Sequence, residues 1–321
     1  MMVATAVIDP ETITRAVLPV YLMILAGLVA RRARLLGKDV DGPLMGVTVN
    51  VLMPCLILDN LLGNPALRGT GDVLLAVAAG VAGVIASMAV CLGWGRAAGL
   101  HKGTGLRTFA LTAGLQNYGF IAIPVMAAVF PGQGPMGVLF VHNLGVEFAM
   151  WSAGLMLLSG TWRGIGRALV NGPILAVLLG LFLARTGWDA AIPPALRAVF
   201  HGFGAGAIPL SLLLVGLTMS DLMFSERPTL RIALNAVVVR LVVCAALLLA
   251  LARFLPCARE LKMVLVVQAA MPAAVFPIVL ARHYGGSPAV AIQIVLATGL
   301  AGLFTAPVVV AWGVRWVLGG Y

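Results

Sequence analysis

The chain has 321 residues, 61% of them apolar and 10% charged, where a soluble chain averages about 45–50% and about 25%. Its formal charge of +10 comes from 21 basic and 11 acidic residues, gathered in short clusters between apolar runs. A soluble enzyme or a nucleic-acid-binding module could not cover its surface with so few charges, whereas a polytopic membrane protein keeps Lys and Arg in its loops.

Asp9 and Glu11 precede the first apolar run without a basic stretch, so that run is expected to be a retained span and not a cleaved leader. Cutting at charge clusters and Gly/Pro turns predicts ten helical segments, at 13–30, 40–62, 73–95, 106–130, 135–160, 169–186, 197–220, 231–255, 261–283 and 289–318. Each has roughly the 20 apolar residues that cross a bilayer. The runs are continuous and not alternating, which excludes strands, and open sheets cannot face lipid. The expected class is therefore an all-α polytopic membrane protein. No connecting link reaches 30 residues, which leaves no room for the signalling domain of an intramembrane sensor. Cys55, Cys91, Cys244 and Cys257 lie in or beside apolar runs with no metal-ligand spacing and read as small buried residues. Gly202-Phe-Gly204-Ala-Gly206 lacks the strand of a dinucleotide loop and reads as close helix packing. Trp94, Trp151, Trp162, Trp188, Trp312 and Trp316 fall mostly near segment ends, as interface anchors do. Neither a metal, a cofactor, a nucleic acid nor a catalytic set of residues is expected.

The two halves of the chain repeat. Pro19 to Arg31 in segment 1 and Pro173 to Arg185 in segment 6 each run twelve residues from Pro to Arg. Pro54 and Pro209 sit mid-span in segments 2 and 7, at an offset of 155. Segments 4 and 9 align without a gap from Pro124–Pro135 to Pro277–Pro288, at an offset of 153. These landmarks predict two five-helix repeats, 1–162 and 163–321. Five is odd, so the second repeat enters from the opposite face, the inverted arrangement of many secondary transporters. Loops after odd-numbered segments hold twelve basic residues, the densest cluster being Arg31 to Lys38; the other face holds eight. The positive-inside rule then puts both termini outside the cytoplasmic (inner) membrane.

Gly/Pro-interrupted spans at matching places in two halves point to a transport site. Segment 4 reads Gln116-Asn117-Tyr118-Gly119-Phe120-Ile121-Ala122-Ile123-Pro124, and segment 9 runs from Gln268 through Met271-Pro272 to Phe276-Pro277. Each carries an amide eight or nine residues before the aligned proline, and each proline is expected to open its helix by freeing a carbonyl. The bland alternative is two kinked helices whose amides serve their neighbours. Glu147 in segment 5, beside His142 and Asn143, is the coupling-ion candidate because an acid at that depth is costly; its structural alternative is an ion pair with Arg240 in segment 8. Asp59 is a second candidate or a residue reaching the interface, His142 a third. Asn50, four residues before Pro54, either lines the site or bonds the opened backbone. His201 reads as an interfacial histidine.

The stretches Asn50-Val-Leu-Met-Pro54, Gln116 through Pro124, Asn171-Gly172-Pro173 and Met271-Pro272-Ala273-Ala274 resemble the auxin efflux carrier family, along nearly the whole chain. That family includes plant PIN-type auxin exporters and bacterial carriers assigned malonate or malate. The resemblance implies the fold of the bile acid:sodium symporters, with broken helices 4 and 9 crossing near the midplane and an elevator-like transport unit moving against a scaffold. It also implies an anionic substrate at the crossover, which marks Asn117, Pro124, Met271, Pro272 and Pro277. Segment 9 has two prolines, and the link between the halves is only about eight residues, far shorter than the central loop of the large plant members.

The expectation is a secondary transporter of a small organic anion (a carboxylate or dicarboxylate such as malonate or malate, or an auxin-like acid), with H⁺ as coupling ion and a homodimer as one arrangement. The candidate substrate residues are Asn50, Gln116, Asn117, Tyr118, Pro124, Gln268, Met271, Pro272 and Pro277. Sodium coupling through neutral oxygens of Gln116, Gln268 or Thr298, a passive channel, and a non-transport sensor are the rival readings.

Overall fold

Where the apolar runs are uninterrupted, the chain satisfies its backbone within itself and forms long helices. A computed structural model describes residues 10–160, 171–223 and 229–319. Trp162, Arg163, Arg167 and Arg227, and the expected boundary between residues 162 and 163, lie outside the described residues. Helix α1 spans Pro10–Arg32, α2 Lys38–Leu61, α3 Thr70–Ala97, α4 Leu106–Gly114, α5 Ala122–Val129 and α6 Gln133–Ser159. Then come α7 Gly172–Thr186, α8 Pro194–Leu222, α9 Leu230–Phe254, α10 Arg259–Ala270, α11 Pro277–His283 and α12 Pro288–Leu318. Among the described residues seven of these, α1, α2, α3, α6, α8, α9 and α12, are long and apolar enough to cross a membrane. The sixth expected segment is the shorter helix α7, and the fourth and ninth are each two short helices around a break.

Local chemistry explains the irregularities. Pro54 has no N–H to give the Asn50 carbonyl, and just before it Thr48–Leu52 widens into a π-helical turn. In that turn Asn50 Nδ2 donates to the Gly46 carbonyl at 3.0 Å. Pro209 lies inside α8 without breaking it. Pro272 biases the residue before it away from helix, and Met271 is extended at φ −75°, ψ 138°, so α10 stops at Ala270. The first break has no proline at its start: Leu115 is extended after α4, and α5 has begun two residues before Pro124. The helix therefore opens ahead of Pro124, whose missing N–H falls in a first turn that has no intrahelical acceptor for it.

The two breaks complete one another. Gln116 and Ala273 pair as an isolated antiparallel bridge. The Asn117 N–H donates to the Pro272 carbonyl at 2.8 Å, and the Ala274 N–H to the Leu115 carbonyl at 2.9 Å. Backbone groups that lipid cannot satisfy are thus satisfied by the other half of the chain.

Two groups of helices pack around this crossing. In one, α1, α2, α7 and α8 lie together; in the other, α3 packs on α4 and α6, and α9, α10 and α12 pack on each other. Small residues allow the closest approaches. A Cβ on Gly216 of α8 would fall on the Ile24 carbonyl of α1, and one on Gly145 of α6 would fall on the Val77 carbonyl of α3. Gly204 lies against the Leu56 backbone, which accounts for the glycine-rich stretch as packing. At one end of the first group Arg31 bonds Asp41 and lies 3.3 Å from Asp221.

The expected alternative of a Glu147–Arg240 pair is not seen. Among the described residues Glu147 has no ion pair, and its partners are an OH and an indole N–H. Arg240 is fully buried in a π-helical turn of α9, Val239–Cys244, and none of its three nitrogens finds a hydrogen-bond acceptor. Its electrostatic neighbours are the thiols of Cys91 and Cys244, whose sulfurs are 3.6 Å apart.

Candidate functional site

A cavity of about 770 Å³ opens beside the crossing. Its walls come from α2 between Gly42 and Ile57, the first turns of α7, both breaks, the middle of α6 between Phe140 and Trp151, and α11. The first break contributes Asn117, Tyr118, Gly119 and Phe120; the second contributes Ala274, Val275 and Phe276. Most of the lining is apolar or aromatic, including Phe120, Phe140, Trp151 and Phe276; the Trp151 and Phe276 rings meet edge-on at 5.4 Å.

Backbone amides are the polar feature of both breaks. Among the described residues no acceptor takes the N–H of Gly119 or Phe120, nor that of Val275 or Phe276. All four residues line the cavity. Asn117 uses its Oδ1 to accept the Ile121 N–H at 3.2 Å, which leaves its Nδ2 donors unspent. Two pairs of consecutive amide donors and a side-chain amide at the mouth of helix α5 are what a carboxylate needs.

Beside these donors stands an acid. Glu147 Oε1 accepts the Tyr118 hydroxyl at 2.6 Å and Oε2 accepts the Trp151 indole N–H at 3.0 Å. Trp151, four residues after Glu147 and so one turn along α6, serves this carboxyl. Nearby, Asn143 Nδ2 donates to the Tyr118 carbonyl at 2.9 Å, and Gln268 Nε2 donates to Asn143 Oδ1 at 3.0 Å. At the entrance Asn171 Oδ1 caps α7 by accepting the Ile174 N–H at 3.0 Å.

Of the expected site residues, Asn50, Asn117, Tyr118 and Glu147 come together on the cavity wall. Gln116, Gln268 and Met271 are buried; Pro272 and Pro277 border the second break, Pro124 lies in the first turn of α5 after the first break, and none of the three prolines lines the cavity. His142 is buried, its Nδ1 3.4 Å from Asn143 Oδ1. Asp59 stands apart in the last turn of α2, paired with His201 at 3.1 Å. The sequence reading did not single out Trp151, Phe276 or Asn143 for the site. The one available signal was helical spacing from Glu147, which puts 143 and 151 on its face.

The family model described as "Membrane transport protein" matches residues 12–165 and 162–310. The chain belongs to that family, the auxin efflux carriers. A relative in Methanothermobacter thermautotrophicus, described as an uncharacterized transporter, is 31% identical over 215 residues, covering 64% of this chain and 68% of the relative. The protein is accordingly a multi-pass membrane transport protein and not an enzyme.

Proposed function

We propose that this transporter is a secondary active carrier of a small organic anion, a carboxylate or dicarboxylate of the malonate or malate type or an auxin-like acid. The observation that carries the reading is the set of four unspent backbone amides, two on each break, on the wall of one cavity. Such donors stabilise an anion through fixed dipoles without a permanently charged partner. In this reading α4–α5 and α10–α11 are broken spans, the chain makes ten crossings, and residues 1–162 and 163–321 are inverted repeats. The group α1, α2, α7 and α8 is the scaffold, against which the rest moves as an elevator. In this reading the cavity, whose α2 wall begins at Gly42 just after the Arg31 to Lys38 cluster, opens to the cytoplasm by the positive-inside rule, an inward-open state with both termini outside the inner membrane.

Coupling to protons rests on Glu147. An anion beside a carboxylate that lacks a cation is repelled; a proton on Glu147 removes the repulsion and travels with the substrate. In proteoliposomes, labelled malonate should accumulate under an inward proton gradient, and Glu147→Gln should erase the effect of the gradient. Equal flux with and without the gradient in the natural protein would sink proton coupling. Asn117→Ala should weaken malonate binding by about 10-fold or more, the loss of a donor to a charged group; unchanged affinity removes Asn117 from the site. A second reading is Na⁺ coupling, favoured by the buried, unpartnered Oε1 atoms of Gln116 and Gln268. Stimulation by Na⁺ at constant pH would decide for it.

A further inference from the structure

Asn143 sits on α6 one turn before Glu147, 8% exposed, at the wall of the cavity. Its side chain is committed in two directions: Nδ2 to the Tyr118 carbonyl in the first break, and Oδ1 to Gln268 in the last turn of α10, where the second break starts. An amide side chain has one acceptor oxygen and two donor hydrogens. With the oxygen taken and one hydrogen on Tyr118, little remains for a ligand. The residue nonetheless touches the approach to both breaks, and it does so from a helix fixed in place, since Gly145, two residues on, is pressed against the α3 backbone at Val77.

We propose that Asn143 is a positioning residue that sets the separation of the two crossover turns, and with it the spacing of the amide pairs 119/120 and 275/276. The direct backbone bonds between Asn117 and Pro272 and between Ala274 and Leu115 join the breaks at their starts; Asn143 ties each of them to a third, rigid element. Its effect on substrate rests on the anion seat proposed above, but its effect on the two turns does not.

Hydrogen exchange of the purified, lipid-reconstituted transporter, read by mass spectrometry on peptides 115–122 and 269–276, separates the two. Asn143→Leu removes both bonds and should speed exchange in both peptides. Asn143→Asp keeps an acceptor for Gln268 but loses the donor to Tyr118, so only 115–122 should loosen. Gln268→Leu should loosen only 269–276. Equilibrium binding of labelled malonate should weaken by about 10-fold in Asn143→Leu, with Asn143→Asp between it and the natural protein. Unchanged exchange at 115–122 in Asn143→Leu overturns the inference, as does an equal rise throughout the protein, which marks a fold defect. Failure of the natural protein to bind malonate would count against the anion seat and leave the exchange pattern to decide on Asn143.

Discussion

Arg240 and Glu147 are the two deep charges, and they solve burial differently. Glu147 receives two hydrogen bonds and opens on a cavity; Arg240 donates none and is fully enclosed. A buried cation without hydrogen-bonded counter-charge costs stability, and an apolar residue of similar volume commonly recovers it. Arg240→Met should therefore raise the thermal midpoint by several degrees, since about 1 kcal/mol moves a chain of this size by ~2 °C or more. A lower midpoint would mean that the guanidinium is held by a counter-charge in the folded protein. Their places within segments 5 and 8 mark both residues as deep, but not whether they meet: pairing depends on how α6 and α9 rotate about their axes, which a sequence this uniformly apolar leaves open.

At the scale of elements, the two breaks have different causes and should answer differently to mutation. Pro272 restricts Met271 and withholds an N–H, so Pro272→Ala lets α10 run on and pulls the carbonyl at 272 away from the Asn117 amide. Transport should be lost while insertion and expression persist. Pro124 occupies the first turn of α5, where a missing N–H is harmless, so Pro124→Ala should transport at close to the natural rate. The reverse ranking, measured as uptake per inserted protein, would show that Pro124 opens the first break. Seven of the expected segments are helices long and apolar enough to cross a membrane among the described residues, because apolar length and Gly/Pro punctuation suffice to find such helices. The position of the first break was not to be found that way. It is set by pairing of Gln116 with Ala273, a contact between distant parts of the chain that leaves no local mark.

On the scale of the molecule, the cavity runs along α2 from Gly42 to Ile57 beside the first turns of α7, and the C-terminal end of α2 is held against α6. There Asn64 Nδ2 donates to the Gln133 carbonyl at 2.6 Å, and Gln133 Nε2 donates to the Asp59 carbonyl at 3.0 Å. Gly137 fits here because a Cβ would meet the Asn64 side chain. If this end must open for substrate to leave, Asn64→Cys with Gln133→Cys, cross-linked by oxidation, should arrest malonate flux, and reduction should restore it. Flux that ignores the cross-link would place the outer opening elsewhere. The bridge between Gln116 and Ala273 carries a consequence for biogenesis. The Leu115 carbonyl and the Asn117 amide have their partners more than 150 residues downstream, so a newly inserted first half holds both groups open in the bilayer until the second half is made. At about 5–20 residues per second, that wait lasts roughly 10–30 s, long enough for insertion machinery or a membrane chaperone to be the temporary partner.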